Sequence, residues 1–283
     1  MALVATDAVV LHAFPYLESS RVLRLATRDH GVQSVLAKGA RRSQRRFGSA
    51  LDLFAEGAAQ YYTKPGRDLH TLGGFEVVRS RVALGMELGR FAAASAVAEL
   101  VLRFARDEGD PTWYAALLDA LDRIGTVPAA EAPAAGLAGA WRLVGALGFA
   151  PMVDDCGRCH DPIPHDAPAR FSHPAGGALC ARCARTGGAG RTLPAEARAA
   201  LRRWLAADGP ASGHVGLDDG SVRAHQRLLR EFLREHLVDG RPLRAFEAWE
   251  DARWSVAPAA AAPATPNVRS GDPGTAAERG VAG

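Results

Sequence analysis

Lysine is nearly absent: of 34 basic residues only Lys38 and Lys64 are lysine, and the rest are arginine. An arginine cluster must therefore exceed a high background before it carries meaning. Neither lysine has the flanking residues of G-x-x-x-x-G-K-[ST], which excludes a P-loop nucleotide site. G-x-S-x-G and H-E-x-x-H are missing too, and no internal repeat occurs. No run of about 18 apolar residues exists, and the first residues lack the basic and apolar blocks of an export signal. These absences, with a net charge of only +3, point to a soluble cytoplasmic protein without nucleotide or membrane partners.

Cysteine is equally sparse, but its four copies are ordered. They form two CxxC pairs, Cys156/Cys159 and Cys180/Cys183, with twenty residues between them. Two thiolates on each of two tight turns can share one tetrahedral ion, so the spacing predicts a structural zinc site. Four thiolates leave no open position for water, which argues against a catalytic ion. The base-deaminase pattern of H-x-E followed by P-C-x-x-C is not present. His160, His165 and His173 lie inside the loop as substitute ligands that four cysteines do not need. Asp154 and Asp155 are expected to balance Arg158 and Arg182, and these arginines with Arg185 to offset the net charge of the tetrathiolate.

The fold class expected is α+β and multidomain. Short apolar runs at 8–14, 21–27, 32–38, 53–63 and 69–78, with turns at Asp29–Gly31 and Pro65–Gly66, read as five strands. A unit of about 80 residues removes exposed strand edges by closing, so residues 1–80 are assigned to an OB-fold barrel. Alanine- and leucine-rich helices are expected at 82–106, 112–124, 134–148, 195–207 and 221–238, the last capped by Ser221. They make an α-helical domain over 81–253, with the zinc module inserted at 153–186. Residues 254–283 are Ala/Pro-rich, cannot bury enough apolar surface, and are expected to be disordered.

Two cationic features stand out. Lys38, Arg41, Arg42, Arg45 and Arg46 place five cations in nine residues where strand three leaves the barrel, and no acid lies between Asp29 and Asp52. With Tyr16, Phe47, Tyr61 and Tyr62 nearby, the barrel has cations for phosphates and rings for bases, although each ring alone is first a core candidate. On helix 221–238, Arg223, Arg227, Arg230 and Arg234 fall within about 60° of one another beside an apolar arc of Val222, Leu228, Leu229, Phe232 and Leu233. This ladder reads as a DNA or partner surface, or as a solvated face partly neutralised by Glu231 and Glu235.

The barrel, the stretch LATRDHGVQSVLAKGARR, the CxxC…CxxC insert and the late HQRLLREFLREHL…RPLRAFE helix together resemble the bacterial RecO recombination-mediator family over residues 1–250. The resemblance implies a non-enzymatic DNA repair protein that binds single- and double-stranded DNA through its OB domain and anneals complementary strands. It also implies binding to the acidic C-terminal tail of SSB, partnership with RecR, indirect help to RecA loading, and a cytoplasmic, nucleoid-associated location. The alternative reading is a zinc-ribbon transcription regulator or another non-catalytic nucleic-acid-binding protein. An enzyme acting on nucleic acid is disfavoured by the missing acid/base and metal constellations.

Overall fold

The run Ala8, Val9, Val10, Leu11 is buried on both sides, which explains why four apolar residues follow one another without alternation. They sit in β1 (Ala2–Tyr16), one of five strands with β2 (Ser20–Thr27), β3 (Gly31–Ala37), β4 (Glu56–Thr63) and β5 (Leu69–Arg79). The computed structural model describes residues 2–40, 51–105, 108–186, 190–206, 217–236 and 241–251. The strands close into a barrel in the order β1-β2-β3-β5-β4. All neighbours are antiparallel except β3 and β5, which pair parallel through Ser34–Leu36 and Leu69–Thr71. Ala8, Val10, Leu23, Leu25, Val35, Tyr61 and Leu72 fill the interior. A β-carbon on Gly57 would lie 2.1 Å from the Glu76 carbonyl oxygen, so only glycine permits that strand approach.

The strand expected at 53–63 starts later, at Glu56, because residues 51–54 turn and Phe54 takes a left-handed φ of 67°. That turn aims Phe54 out of the barrel into a second core, which also takes in Val9, Leu11 and Ala26 from the barrel's outer face.

The second core belongs to the helices. The single helix expected over 82–106 is two, α1 (Ala83–Met86) and α2 (Leu88–Phe104). Glu87 between them is extended, and its carboxylate accepts from the Gly89 and Arg90 amides at 2.8 Å each, an N-cap that starts a new helix. Helix α3 (Pro111–Thr126) begins with Asp110 accepting from Thr112 N at 2.7 Å. Helix α4 (Ala132–Val144) runs into a π-turn at Gly145–Phe149 that Gly148, φ 90°, breaks from within. A β-carbon on Gly136 would stand 2.8 Å from Ala93 Cβ, and one on Gly139 2.6 Å from Ala120 Cβ, so the small residues of α4 are what let it lie close against α2 and α3.

After α4 the chain makes a three-stranded sheet, β6 (Ala169–Ser172), β7 (Gly177–Leu179) and β8 (Arg191–Leu193), in the order β7-β6-β8, with α5 (Ala181–Thr186) between β7 and β8. It returns through α6 (Ala195–Leu205), α7 (Asp219–His236) and α8 (Arg244–Asp251). Helix α7 starts at Asp219, before Ser221. Asp218 caps it, accepting from Ser221 N at 2.7 Å. Helix α8 is an addition to the helices expected, and its Phe246 and Trp249 are fully buried in the helical core.

Barrel and helices are joined by Arg81, whose side chain is 4% exposed. Its guanidinium meets Glu56 at 2.6 Å, Asp122 at 2.7 Å and the Phe54 carbonyl at 3.1 Å, so one cation ties β4, the turn before it and α3. Among the described residues no helix is long and apolar enough to cross a membrane. Residues 254–283 lie outside the described residues.

Candidate functional site

The four cysteines come together. Cys156 and Cys159 occupy a turn in which His160 N donates to the Cys156 carbonyl at 2.8 Å, while Cys183 on α5 donates its amide to Cys180 Sγ at 3.5 Å. Gly157 is required here, since a β-carbon would come within 2.4 Å of the Ala175 carbonyl oxygen. The four Sγ atoms lie within 4.8 Å of one another. The Cys159–Cys180 separation is 3.8 Å, far longer than a disulfide and equal to the edge of a tetrahedron built from metal–sulfur bonds of about 2.3 Å. The geometry therefore suits one metal ion ligated by all four.

Electrostatics agree with that fit. Burial works against a Cys156 thiolate, but hydrogen bonds from the Cys180, Cys159 and Arg158 backbone outweigh it and bring its pKa down to about 6. Burial, then hydrogen bonding with the Cys159, Cys180 and Cys156 sulfurs, pushes Cys183 up to about 12. One thiol ionises readily and another resists strongly. A divalent cation resolves this, because it stabilises every thiolate at once.

Around the cluster the charges pair differently from expectation. Arg182 binds Asp161 at 2.6 Å, and Asp154 belongs to Arg202 of α6, so the expected balance of Asp154 and Asp155 with Arg158 and Arg182 does not form in the case of Asp154 or of Arg182. His173 faces Glu231 at 3.2 Å, and His165 lies 3.8 Å from Asp154; neither is in the sulfur cluster. The module is seated on the body by Phe171, which is fully buried with its ring 6.0 Å from Phe232. Arg198, also fully buried, donates to the Pro164 carbonyl inside the cysteine loop. Burial, then the nearby Arg202, lowers the Arg198 pKa.

On the barrel, Lys38 is exposed at the end of β3, and Gly39 follows with a left-handed φ of 72°. Arg41, Arg42, Arg45, Arg46 and Phe47 lie outside the described residues. Of the rings weighed from sequence, Tyr61 is core, 1% exposed and stacked on His70 at 5.6 Å. Tyr16 and Tyr62 are both solvent-facing. The alternation of β4 explains the split, because adjacent tyrosines must point to opposite faces.

The ladder on α7 divides in two. Its apolar arc of Val222, Leu228, Leu229, Phe232 and Leu233 is buried as expected. Arg223 and Arg227 are exposed, but Arg230 lies 2.9 Å from Glu250 and Arg234 3.7 Å from Glu247, both on α8. Glu231, expected to neutralise the ladder, is taken by Arg191 at 2.7 Å and by His173. The missing signal is α8, whose carboxylates no helical periodicity of α7 reveals.

The fold and the sulfur cluster define a class: an OB-type barrel fused to a helical body that carries a four-cysteine module. The family description Recombination protein O N terminal matches residues 1–81, and Recombination protein O C terminal matches 86–245. The DNA repair protein RecO of Anaeromyxobacter sp. (strain K) is 39% identical over 245 residues, covering 86% of this chain and 94% of the relative. That of Anaeromyxobacter sp. (strain Fw109-5) is 36% identical over 241 residues, covering 84% and 91%. The chain belongs to the RecO family of DNA repair proteins.

Proposed function

We propose that this protein is a non-enzymatic recombination mediator that binds single- and double-stranded DNA and anneals complementary strands. The observation that supports it is a set of barrel cations, Arg24 and Lys38 on the outer face and Arg21 at the mouth near Asp52, none of which forms an ion pair with a carboxylate among the described residues. They lie at the end where the chain leaves β3 for the sequence that carries Arg41, Arg42, Arg45 and Arg46. Annealing is limited by repulsion between two polyanions, and a cationic surface that holds both strands relieves it without bond chemistry or a nucleotide. Residues 1–80 act as the DNA-binding domain and 81–253 as the body, with the module at 153–186 held by a structural zinc on Cys156, Cys159, Cys180 and Cys183. The body is the richer source of an apolar socket beside cations, including Arg223 and Arg227, and so is the place for the acidic C-terminal tail of SSB. RecR is a further partner and RecA an indirect one, in the cytoplasm at the nucleoid.

A fluorescence annealing assay with bare and SSB-coated strands tests the reading. Faster pairing without ATP is expected. Strand cleavage in its place, or dependence on ATP, overturns it.

A further inference from the structure

The outer face of β1 changes character along its length. Up to Leu11 it is covered by the helical body, which takes Val9 and Leu11 into its core. The pairing register with β2 then shifts between Val10 and His12, a bulge that exchanges odd for even positions on each face. Beyond it Ala13 packs on the barrel interior, while His12, Phe14 and Tyr16 point outward. An uncovered strand face ordinarily carries small polar residues. This one carries three rings at every second position, about 6.8 Å apart along the strand. Phe14 and Tyr16 are 40% and 41% exposed, and His12 and Phe14 have centroids 5.6 Å apart.

The surroundings are cationic. Arg24, half-buried, lies directly across from His12 on β2, and its Nε is buried without a hydrogen-bond partner among the described residues. Ser20 lies across from Tyr16 and accepts from Gly39 N at 3.5 Å, which brings the Lys38–Gly39 exit to the Tyr16 end of the row. A recess of about 250 Å³ opens beside Phe14, lined also by Arg21, Leu51 and Asp52, the last its one carboxylate. A protein partner with an apolar surface would not need cations at both ends of a ring row. A strand of nucleic acid has the complementary pattern of flat π-faces and a regular line of negative charge.

We propose that His12, Phe14 and Tyr16, flanked by Arg24 and Lys38, form a stacking platform for the unpaired bases of single-stranded DNA. The proposal rests on the reading of the barrel as the DNA-binding part and adds the base-contacting surface to it. The cations hold phosphates, and the rings select unpaired over paired bases, because a duplex already stacks its bases on one another.

The test compares the full chain with Phe14→Ala/Tyr16→Ala on a labelled oligo-dT and on an abasic oligonucleotide of the same phosphate count. The double variant should bind oligo-dT about ten- to a hundredfold more weakly, while the abasic strand and the salt slope stay unchanged. Phe14→Tyr/Tyr16→Phe, which keeps both rings, should restore binding. Phe14→Leu/Tyr16→Leu, which keeps apolar bulk and so guards against a folding defect, should behave like the alanine variant. Equal losses on both strands, or no loss on oligo-dT, overturn the platform. If the unaltered protein binds neither strand, the barrel reading itself fails, an outcome distinct from the others.

Discussion

On the barrel, Arg21, Arg24 and Lys38 have no carboxylate partner among the described residues, whereas on the body Arg230 and Arg234 lie 2.9 and 3.7 Å from Glu250 and Glu247. The two surfaces read alike as arginine-rich sequence. They differ because most of the body's cations, Arg223 and Arg227 apart, hold its own helices and module together, with Arg191, Arg198 and Arg202 fastening the cysteine insert to α6 and α7. A cation already committed to a carboxylate attracts a phosphate weakly; one left alone in an acid-poor face attracts it fully.

The largest effect expected to sharpen this contrast is that of the proposed zinc. Structural zinc sites contribute on the order of 10 kcal/mol of apparent binding free energy, so stripping the ion, or Cys156→Ser with Cys180→Ser, should loosen the module and the body that receives Phe171. Hydrogen exchange should then rise in β6–β8 and α7 while the barrel interior keeps its protection. Elemental analysis that finds no metal in protein purified without chelator removes the basis for this expectation.

Arg81 comes next, as the cation shared by the two halves. Arg81→Ala removes the buried cation between Glu56 and Asp122, which keep Arg79 at 3.9 and 2.6 Å, and the loss of its charged hydrogen bonds should cost about 1.5–3 kcal/mol in urea denaturation. A second transition should appear if the barrel then unfolds apart from the body. A loss below about 1 kcal/mol would mean the halves are joined by apolar packing alone.

A basic group without any counter-charge behaves differently again. His225 on α7 is buried against Trp204, ring centroids 4.9 Å apart, with neither ring nitrogen hydrogen-bonded among the described residues. Burial alone holds its pKa down to about 4. The unfolded chain therefore binds a proton below about pH 6.5 that the native state refuses. Stability is complete above that pH and should fall by about 1.4 kcal/mol per pH unit from there down toward 4. Glu231, held low first by its hydrogen bond to Arg191, loses its contribution only below the usual carboxylate range. Cys156 at about 6 and the carboxyls of Glu99 and Glu250, both raised first by burial, approach the same window, so the histidine's share is the difference between the native chain and His225→Leu. Urea midpoints at pH 7.5 and 5.5 should differ more in the native chain than in His225→Leu.

What the sequence made legible follows from how local each signal is. The CxxC pairs and the turn glycines Gly31 and Gly66, both with positive φ, are fixed by their immediate neighbours, and they stand where the pattern put them. The break at Glu87 is hidden because alanine and leucine continue the periodicity on both sides of a side-chain cap. Helix α8 is legible in principle, since Leu243, Phe246 and Trp249 recur at helical spacing after Pro242. The fate of the ladder is not legible at all, because its partners come from that separate helix. Tyr61 and Tyr62 show the same limit: one strand register decides which is core and which is surface.

The smallest effect is also the most direct comparison of the two surfaces. Arg230→Gln with Arg234→Gln removes two cations whose partners are Glu250, with a side chain 9% exposed, and the more open Glu247. The open Arg234 pair contributes about 1 kcal/mol or less, and Glu250, largely buried, keeps Arg227 nearby after losing Arg230, so stability should drop by about 1–2 kcal/mol and the salt dependence of single-strand binding should not move. Arg21→Gln, Arg24→Gln and Lys38→Gln together should do the reverse. They should leave the urea midpoint nearly unchanged and flatten log K against log [salt] by about 2, from roughly 0.7 for each phosphate that is no longer neutralised. If the ladder variant flattens the slope and the barrel variant does not, DNA lies on α7, with the exposed Arg223 and Arg227 as its remaining cations. If both flatten it, the strand crosses from barrel to body, and the division between committed and free cations fails, because Arg230 and Arg234 would have to leave their carboxylates for phosphate.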